Sequence, residues 1–428
     1  MIIKNKKNKI AVIGSGVSGI SLAWLLSQNN TVTLFERNNY IGGHANTITI
    51  NHESTSYDLD VGFIVFNNFN YPNFVNLLNH FNVPTQKSNM SFSVSASEGA
   101  FEYASTLPLG PFIQPSNLAK KRFLRMLFDI PKFYKFAKKY NFKSNRKDIN
   151  LINFLELGKF SKYYCYDHLF PMASAIWSQP IKRVMNFNAE SFVHFYNSHG
   201  LLSFLNRPKW RTIKGGSKLY IKKLLDDFGG EIILNSNISS VSRDDNTIKI
   251  MLEKQNLDFD HVIFAIHPQN ILKILRDPSL EETEILKKFD VEENICFVHS
   301  DADLMPRRKN AWSSWNYFSN ENQNTNSKVF VTYWLNLLQK IESKNNFFLS
   351  LNPPKPPSAE KVYKEFKYLH PIYDLKTVQY QSQIDRMQGK KNTWYSGAWN
   401  GFGFHEDGLT SGIKIAKKFG CHVPWKDD

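Results

Sequence analysis

Short apolar runs alternate with stretches of helical period at the start of the chain. Residues 9–13 (KIAVI) carry no polar break after the lysine, which predicts a short buried strand. Residues 17–28 (VSGISLAWLLSQ) place apolar side chains at helical spacing, and 31–36 (TVTLFE) return to a strand. Together they predict a βαβ unit packed into fewer than 30 residues. A further strand is predicted over 57–66 (YDLDVGFIVF), with Gly62 at its middle marking a close approach. Residues 112–147 interleave Lys120, Lys121, Arg122, Arg125, Lys132, Lys135, Lys138, Lys139, Lys143, Arg146 and Lys147 with aromatic and aliphatic positions, and Pro131 is predicted to split them into two helices. A β-meander and a buried strand are predicted over 229–266, before His267-Pro268. Strand patterns recur at 292–300, 311–318, 328–335 and 392–399; a glycine-rich turn (400–408) and a helix (409–419) close the chain.

Composition narrows this picture. Apolar residues make up 42% of the 428 positions, enough for a real core and against wholesale disorder. Aromatic residues reach 14%, which favours a flat or greasy ligand. The formal charge of +15 suits either a lysine-rich solvated surface or attraction to anionic lipid or another acidic partner. Nucleic acid is not an expected partner, because no helix-turn-helix, zinc-finger or RNA-binding signature accompanies the charge. Cys165, Cys296 and Cys421 lie far apart with no CxxC pair, which argues against a disulfide framework or a cysteine zinc site and fits a reducing compartment. Lys4, Lys6, Lys7 and Lys9 before the apolar run look like a secretory signal, but cleavage there would destroy the glycine motif that follows, so the segment is read as mature, cytoplasmic protein. No run of about 18 apolar residues predicts a membrane-spanning helix.

That glycine motif is Gly14-Ser15-Gly16-Val17-Ser18-Gly19, between the first strand and helix. Gly14 permits the tight turn, Gly16 the approach of backbone to a pyrophosphate, and Gly19 close helix–strand packing. The phosphates would sit at a helix N-terminus, where free N–H groups favour anions. Glu36, closing the second strand, can accept hydrogen bonds from both ribose hydroxyls and would repel a 2′-phosphate. NADP is disfavoured; NAD and FAD remain tied on these residues alone.

The residues after Glu36 break the tie. Arg37 to His44, with Gly42-Gly43 before His44, resemble the extended motif of the flavin-containing amine oxidase and phytoene desaturase superfamily. The resemblance implies that the Gly-Gly loop lays a second backbone surface against the FAD diphosphate. It implies that Asp60-Val61-Gly62-Phe63 pass near the flavin ring, that the backbone at Val241 meets the adenine, and that 391–412 (KNTWYSGAWNGFGFHEDGLTSG) place N–H groups at the flavin end. Segments such as GFIVFNNFNYPNF, PMASAIWS and NSHGLLSFLNRPKWRTIKGGS resemble more narrowly a bacterial group of NAD/FAD-binding, amine oxidase-like proteins, similar to the flavoprotein domain fused to some plant cyclopropane fatty acid synthases. This implies a link to lipid acyl chains. The chain departs from the amine oxidase pattern at His44, where an arginine is usual, at Gly397-Ala398, where Gly-Glu is usual, and at Phe404, where a cage tyrosine is usual.

The expected fold is therefore α/β: a Rossmann-type FAD-binding domain from residues 1–85, 208–295 and 386–428, with an inserted α+β substrate domain from 86–207 and 296–385. The expected cofactor positions are Gly14, Ser15, Gly16, Ser18, Gly19, Glu36, Arg37, Gly42, Gly43, His44, Gly62, Phe63, Val241, Gly397, Glu406, Asp407 and Gly408. One of Glu406 and Asp407 is expected to cap the last helix. Trp399 and Phe404 could wall a substrate pocket, and His405 could move a proton, although backbone bonding is the plainer reading of that histidine. His168, His194 and His199 read as core or pocket wall, without metal-ligand spacing. The expected activity is FAD-dependent oxidation of a small-molecule or lipid substrate, with amine oxidation, or an accessory role to a lipid methyltransferase, as alternatives. The basic stretch 116–147 is either a solvated face or a peripheral membrane contact at the inner face of the membrane.

Overall fold

The computed structural model describes residues 7–106, 108–142, 149–205, 207–244, 247–253, 255–319 and 325–425. Lys4, Lys6, Lys143, Arg146 and Lys147 lie outside these residues. The chain divides into two compact units, one from Met1–Thr85, Ile213–Asp290 and Lys376–Asp428, the other from Gln86–Thr212 and Val291–Leu375. The helix Leu375–Met387 falls almost wholly in the first unit, ahead of the join expected at 386. Gln381 and Gln388 tie it there, donating to the carbonyls of Trp399, Gly401 and Tyr395.

The first unit is built on a five-stranded sheet in the spatial order Glu231–Ile233, Thr31–Phe35, Lys9–Ile13, His261–Phe264, Thr393–Tyr395, with every neighbouring pair parallel. Such strands are covered on both faces and read as continuous apolar runs, as Ile10 to Ile13 and Val262 to Phe264 do. The meander is present as Ile238–Arg243, Ile248–Leu252 and Asn256–Phe259, paired antiparallel. The helix Val17–Ser27 is buried from Val17 to Leu26. The last helix, His405–Lys418, packs on it through two glycines one turn apart: a Cβ at Gly408 would come within 3.0 Å of Val17 Cγ1, and one at Gly412 within 3.1 Å of the Ser18 carbonyl.

Three sequence expectations need correction. The strand expected over 57–66 ends at Asp60, because Gly62 lies directly against the His44 carbonyl, which accepts the Phe63 N–H at 2.7 Å and draws the chain out of the ladder. The last helix starts at His405, four residues early, because the Asp407 carboxylate accepts the Phe402 and Phe404 N–H groups and closes its first turn. Pro131 does not break the basic segment. One helix runs Lys121–Lys139 through it, since Phe123, Met126, Ile130 and Phe133 are buried on one side and Pro131 itself is exposed, where its freed carbonyl partner can be hydrated.

The second unit holds a seven-stranded mixed sheet, in the order Val362–Pro371, Val291–His299, Phe348–Leu351, Phe330–Trp334, Trp315–Ser319, Phe92–Ala96, Phe101–Ala104. Only Trp315–Ser319 and Phe92–Ala96 pair in parallel. The basic helix, Leu151–Leu157, Phe170–Trp177, Ile181–Met185 and Ala189–Ser198 form most of its helical part.

Candidate cofactor site

The candidate site lies in the first unit, at the carboxyl ends of its central strands. The Gly14 N–H is held by the Phe35 carbonyl at 2.8 Å, which turns the chain out of the first strand. A Cβ on Gly14 would stand 2.6 Å from the Ala265 carbonyl, and one on Gly19 would overlap the Gly14 carbonyl, so both positions admit only glycine. Gly16 is different. A Cβ there meets no protein atom within 4 Å, so the loop presents bare backbone to open space at a helix N-terminus.

Glu36 clamps this loop. One carboxylate oxygen accepts the Ser15 N–H at 3.1 Å and the Ser15 hydroxyl at 2.6 Å; the other accepts the Asn38 N–H and side-chain amide. The second glycine pair closes from the other side. Gly42 donates to the Ser15 carbonyl at 3.2 Å and bridges Gly16, and Gly43, at φ +58°, brings its Cβ direction within 3.1 Å of the Gly16 Cα. Two glycine backbones thus face one another beside the open space at Gly16. This cradle, with a buried acid behind it, fits a dinucleotide diphosphate.

Serines position the far side. The hydroxyls of Ser18, Ser396 and Ser411 bond to one another, and Ser411 also accepts the Gly397 N–H at 2.9 Å. They pin the glycine-loop helix to the last strand and last helix. Gly397 must be glycine, since a Cβ would overlap the Trp399 indole nitrogen. A second hub is Asp60, 1% exposed, which accepts the Thr47 hydroxyl at 2.6 Å and the Ser217 N–H at 2.8 Å. Burial pushes its carboxyl up to about 6.

Several expected site residues serve the protein itself. Glu406 accepts the Asn73 N–H, the Asn73 amide and the Phe74 N–H, so it caps the helix Pro72–His80. Asp407 caps its own helix, and burial raises it to about 6. The Val241 carbonyl is taken by the Arg276 N–H at 2.9 Å, and its side chain is core. Trp399 is not a pocket wall: it is 3% exposed, packs edge-on to Phe289 at 4.9 Å and donates to the Ile266 carbonyl. His405 is buried, stacked on Phe63 at 3.5 Å between ring centres and bonded to the Tyr220 hydroxyl at 3.0 Å. Burial, and then the nearby His44, hold it neutral, well below the usual histidine range. Arg37 is exposed and Phe404 half-buried. Among the described residues no group of His, Cys, Asp and Glu could hold a metal ion.

Residues 17–301 match the family of flavin containing amine oxidoreductases. The chain belongs to that family. It is an FAD-dependent oxidoreductase, as the resemblance of its sequence implied. No curated protein matches its sequence. Among solved structures, the amine oxidoreductase fold is shared with a CLA-producing fatty acid isomerase from P. acnes (15% identity, TM-score 0.67, covering 97% of this chain and 99% of that one). It is shared with a putrescine oxidase bound to putrescine (13%, 0.67, 96% and 98%) and with cyclohexylamine oxidase from Brevibacterium oxydans IH-35A (12%, 0.63, 97% and 99%). No helix among the described residues is long and apolar enough to cross a membrane.

Proposed function

We propose that this amine oxidoreductase-family enzyme acts on a lipid acyl chain. The observation that carries the reading is a cavity of about 400 Å³ within the second unit, lined by Phe92, Met126, Ile130, Met172, Ile176 and other apolar side chains. That volume falls in the range of about 300–1,000 Å³ for small-molecule sites. No Asp or Glu lines it, so no carboxylate is there to pair with a substrate ammonium. The fatty acid isomerase among the solved structures supports the same reading, as does the resemblance to the domain fused to cyclopropane fatty acid synthases, where a lipid methyltransferase would share the substrate.

In this reading the FAD diphosphate lies between Gly14–Gly19 and Gly42–Gly43, with the adenosine ribose at Glu36 and the flavin toward Gly62, Phe63, Gly397 and the N-terminus of the last helix. Bound FAD supplies the hydride-transfer chemistry, and the chain's own residues bind and orient. The test is anaerobic mixing of the FAD-loaded protein with unsaturated acyl chains and, separately, with a panel of amines. Flavin bleaching or product isomers from acyl chains alone are expected. Bleaching by amines alone would replace this reading with amine oxidation.

We also assign a peripheral membrane contact to the basic helix. Its outward face carries Lys121, Arg125, Lys132, Lys135 and Lys139 around Leu124 and Phe128, the last 74% exposed. Its one acid, Asp129, is buried, with Arg125 at 3.8 Å and Lys132 at 4.0 Å. Interleaved cations and exposed apolar rings suit an anionic bilayer surface. The protein should sediment with phosphatidylserine vesicles at low salt and release at high salt, and Lys121→Glu with Lys135→Glu should abolish this. Equal sedimentation of the double variant would refute the contact.

A further inference from the structure

We infer that the cavity of the second unit is a site for a single-chain fatty carboxylate, with the acid group held by Arg207 at its edge and the chain among the methionines and aliphatic side chains inside; this rests on the acyl-chain reading above. Arg207 and His168 are the titratable groups of the lining that can carry positive charge, and His168 does not: burial, and then the Arg207 charge, lower it to about 4. The imidazole is also fixed internally, its Nδ1 3.0 Å from the Tyr103 hydroxyl. Arg207 is therefore the single formal charge lining the cavity among the described residues, and it faces no acid there.

Arg207 is exposed at the rim and anchored there. Its Nε donates to the Ser203 carbonyl at 2.7 Å, and the Tyr134 hydroxyl bonds to it as well. Tyr134 packs on Phe204 at 5.0 Å between ring centres, so the cation sits against an aromatic rim. The nearest acid in sequence to the histidine, Asp167, is occupied by a two-pronged contact with Arg122, both distances 2.6 Å. Arg207's remaining donors are free of that carboxylate, and a planar fork of this kind pairs with a carboxylate through two parallel hydrogen bonds.

The interior suits a chain rather than a rigid ring. Met90, Met126 and Met172 are three of the eight methionines in the sequence, and all line this one cavity. Unbranched, polarisable side chains adapt to an occupant with many rotamers and a bend. An alkylamine would bring a second cation beside Arg207, and a neutral ester would leave the fork without its partner. The cavity therefore selects acid over ester and ester over amine.

The test is calorimetric titration of the FAD-loaded protein with oleate, methyl oleate and oleylamine below their aggregation limits. Oleate should bind roughly tenfold or more tightly than the ester, the gain of a charge-assisted hydrogen bond. Arg207→Gln should bring oleate down to the ester's affinity while leaving the ester unchanged, and Arg207→Lys should keep part of the preference. Met172→Trp should weaken acid and ester alike, with FAD content and melting temperature as controls. Equal binding of acid and ester to the native protein, or a preference that survives Arg207→Gln, would overturn the carboxylate site while leaving the acyl-chain reading standing. Binding of neither would overturn both.

Discussion

Alanine at position 16 is expected to cost the protein its flavin but not its fold. A methyl group there meets no protein atom within 4 Å, and the backbone at φ −60° is one that alanine adopts freely. As an N-cap exchange it should cost less than about 1 kcal/mol. The same methyl fills the space in which a diphosphate would meet the bare helix N-terminus. Loss of two hydrogen bonds to charged oxygens, at roughly 1.5–3 kcal/mol each, should weaken FAD by about two to four orders of magnitude. Gly19→Ala provides the contrast: its methyl would overlap the Gly14 carbonyl, and the protein should fail to fold rather than merely fail to bind. Fluorescence titration of FAD into apo-protein, beside melting of the same samples, separates the two outcomes. Unchanged FAD affinity in Gly16→Ala would mean that the diphosphate lies elsewhere.

The first strand, helix and second strand were legible because their rules are local: an unbroken apolar run, a helical period and a glycine at each place where backbone must approach backbone. The meander was legible for the same reason. What the sequence hid was long-range. Glu406 reads as a carboxylate near the flavin until the fold brings it to Asn73, 333 positions away. Ser18 finds Ser396 across 378 positions, and Asp60 finds Ser217 across 157. A serine or carboxylate carries no periodic signal that announces its partner, so Ser18, Asp60 and Glu406 read as cofactor-side residues while the contacts that hold them stay hidden.

Rings misled in a different way. Trp399 and His405 stand in a glycine-rich segment, which suggests an open loop, but His405 opens the last helix and both rings are buried. A buried, neutral His405 stacked on Phe63 makes a rigid wall better than a proton carrier. That suits a flavoenzyme, whose hard chemistry belongs to the cofactor.

A large loss of stability is expected at Arg243, a residue with no motif around it. Its side chain is fully buried and its fork meets Glu282 at 2.6 and 2.9 Å, with Asp277 at 3.0 Å and Thr393 at 3.3 Å. Glu282 in turn accepts the Tyr395 hydroxyl and the Ser279 N–H, so one cluster joins the meander, the helix Leu280–Leu286 and the last parallel strand. Burial pushes the Glu282 carboxyl up, but hydrogen bonds from Arg243 and Tyr395 outweigh it and hold the group at about 2, below its ordinary 4.5. Stability from this depressed carboxyl is therefore present above about pH 4.5 and is lost as pH falls toward 2. Arg243→Met leaves the carboxylate buried and uncompensated, which should cost about 3–5 kcal/mol at neutral pH. Glu282→Gln added to it removes the stranded charge while keeping an acceptor for Tyr395, and should recover part of the loss. Denaturant unfolding at pH 7 and pH 4 checks both points: the single variant should lose less at the lower pH, where Glu282 can protonate. A loss below about 1 kcal/mol at pH 7 would show that water reaches the pair and that the cluster does not hold the unit's last strand.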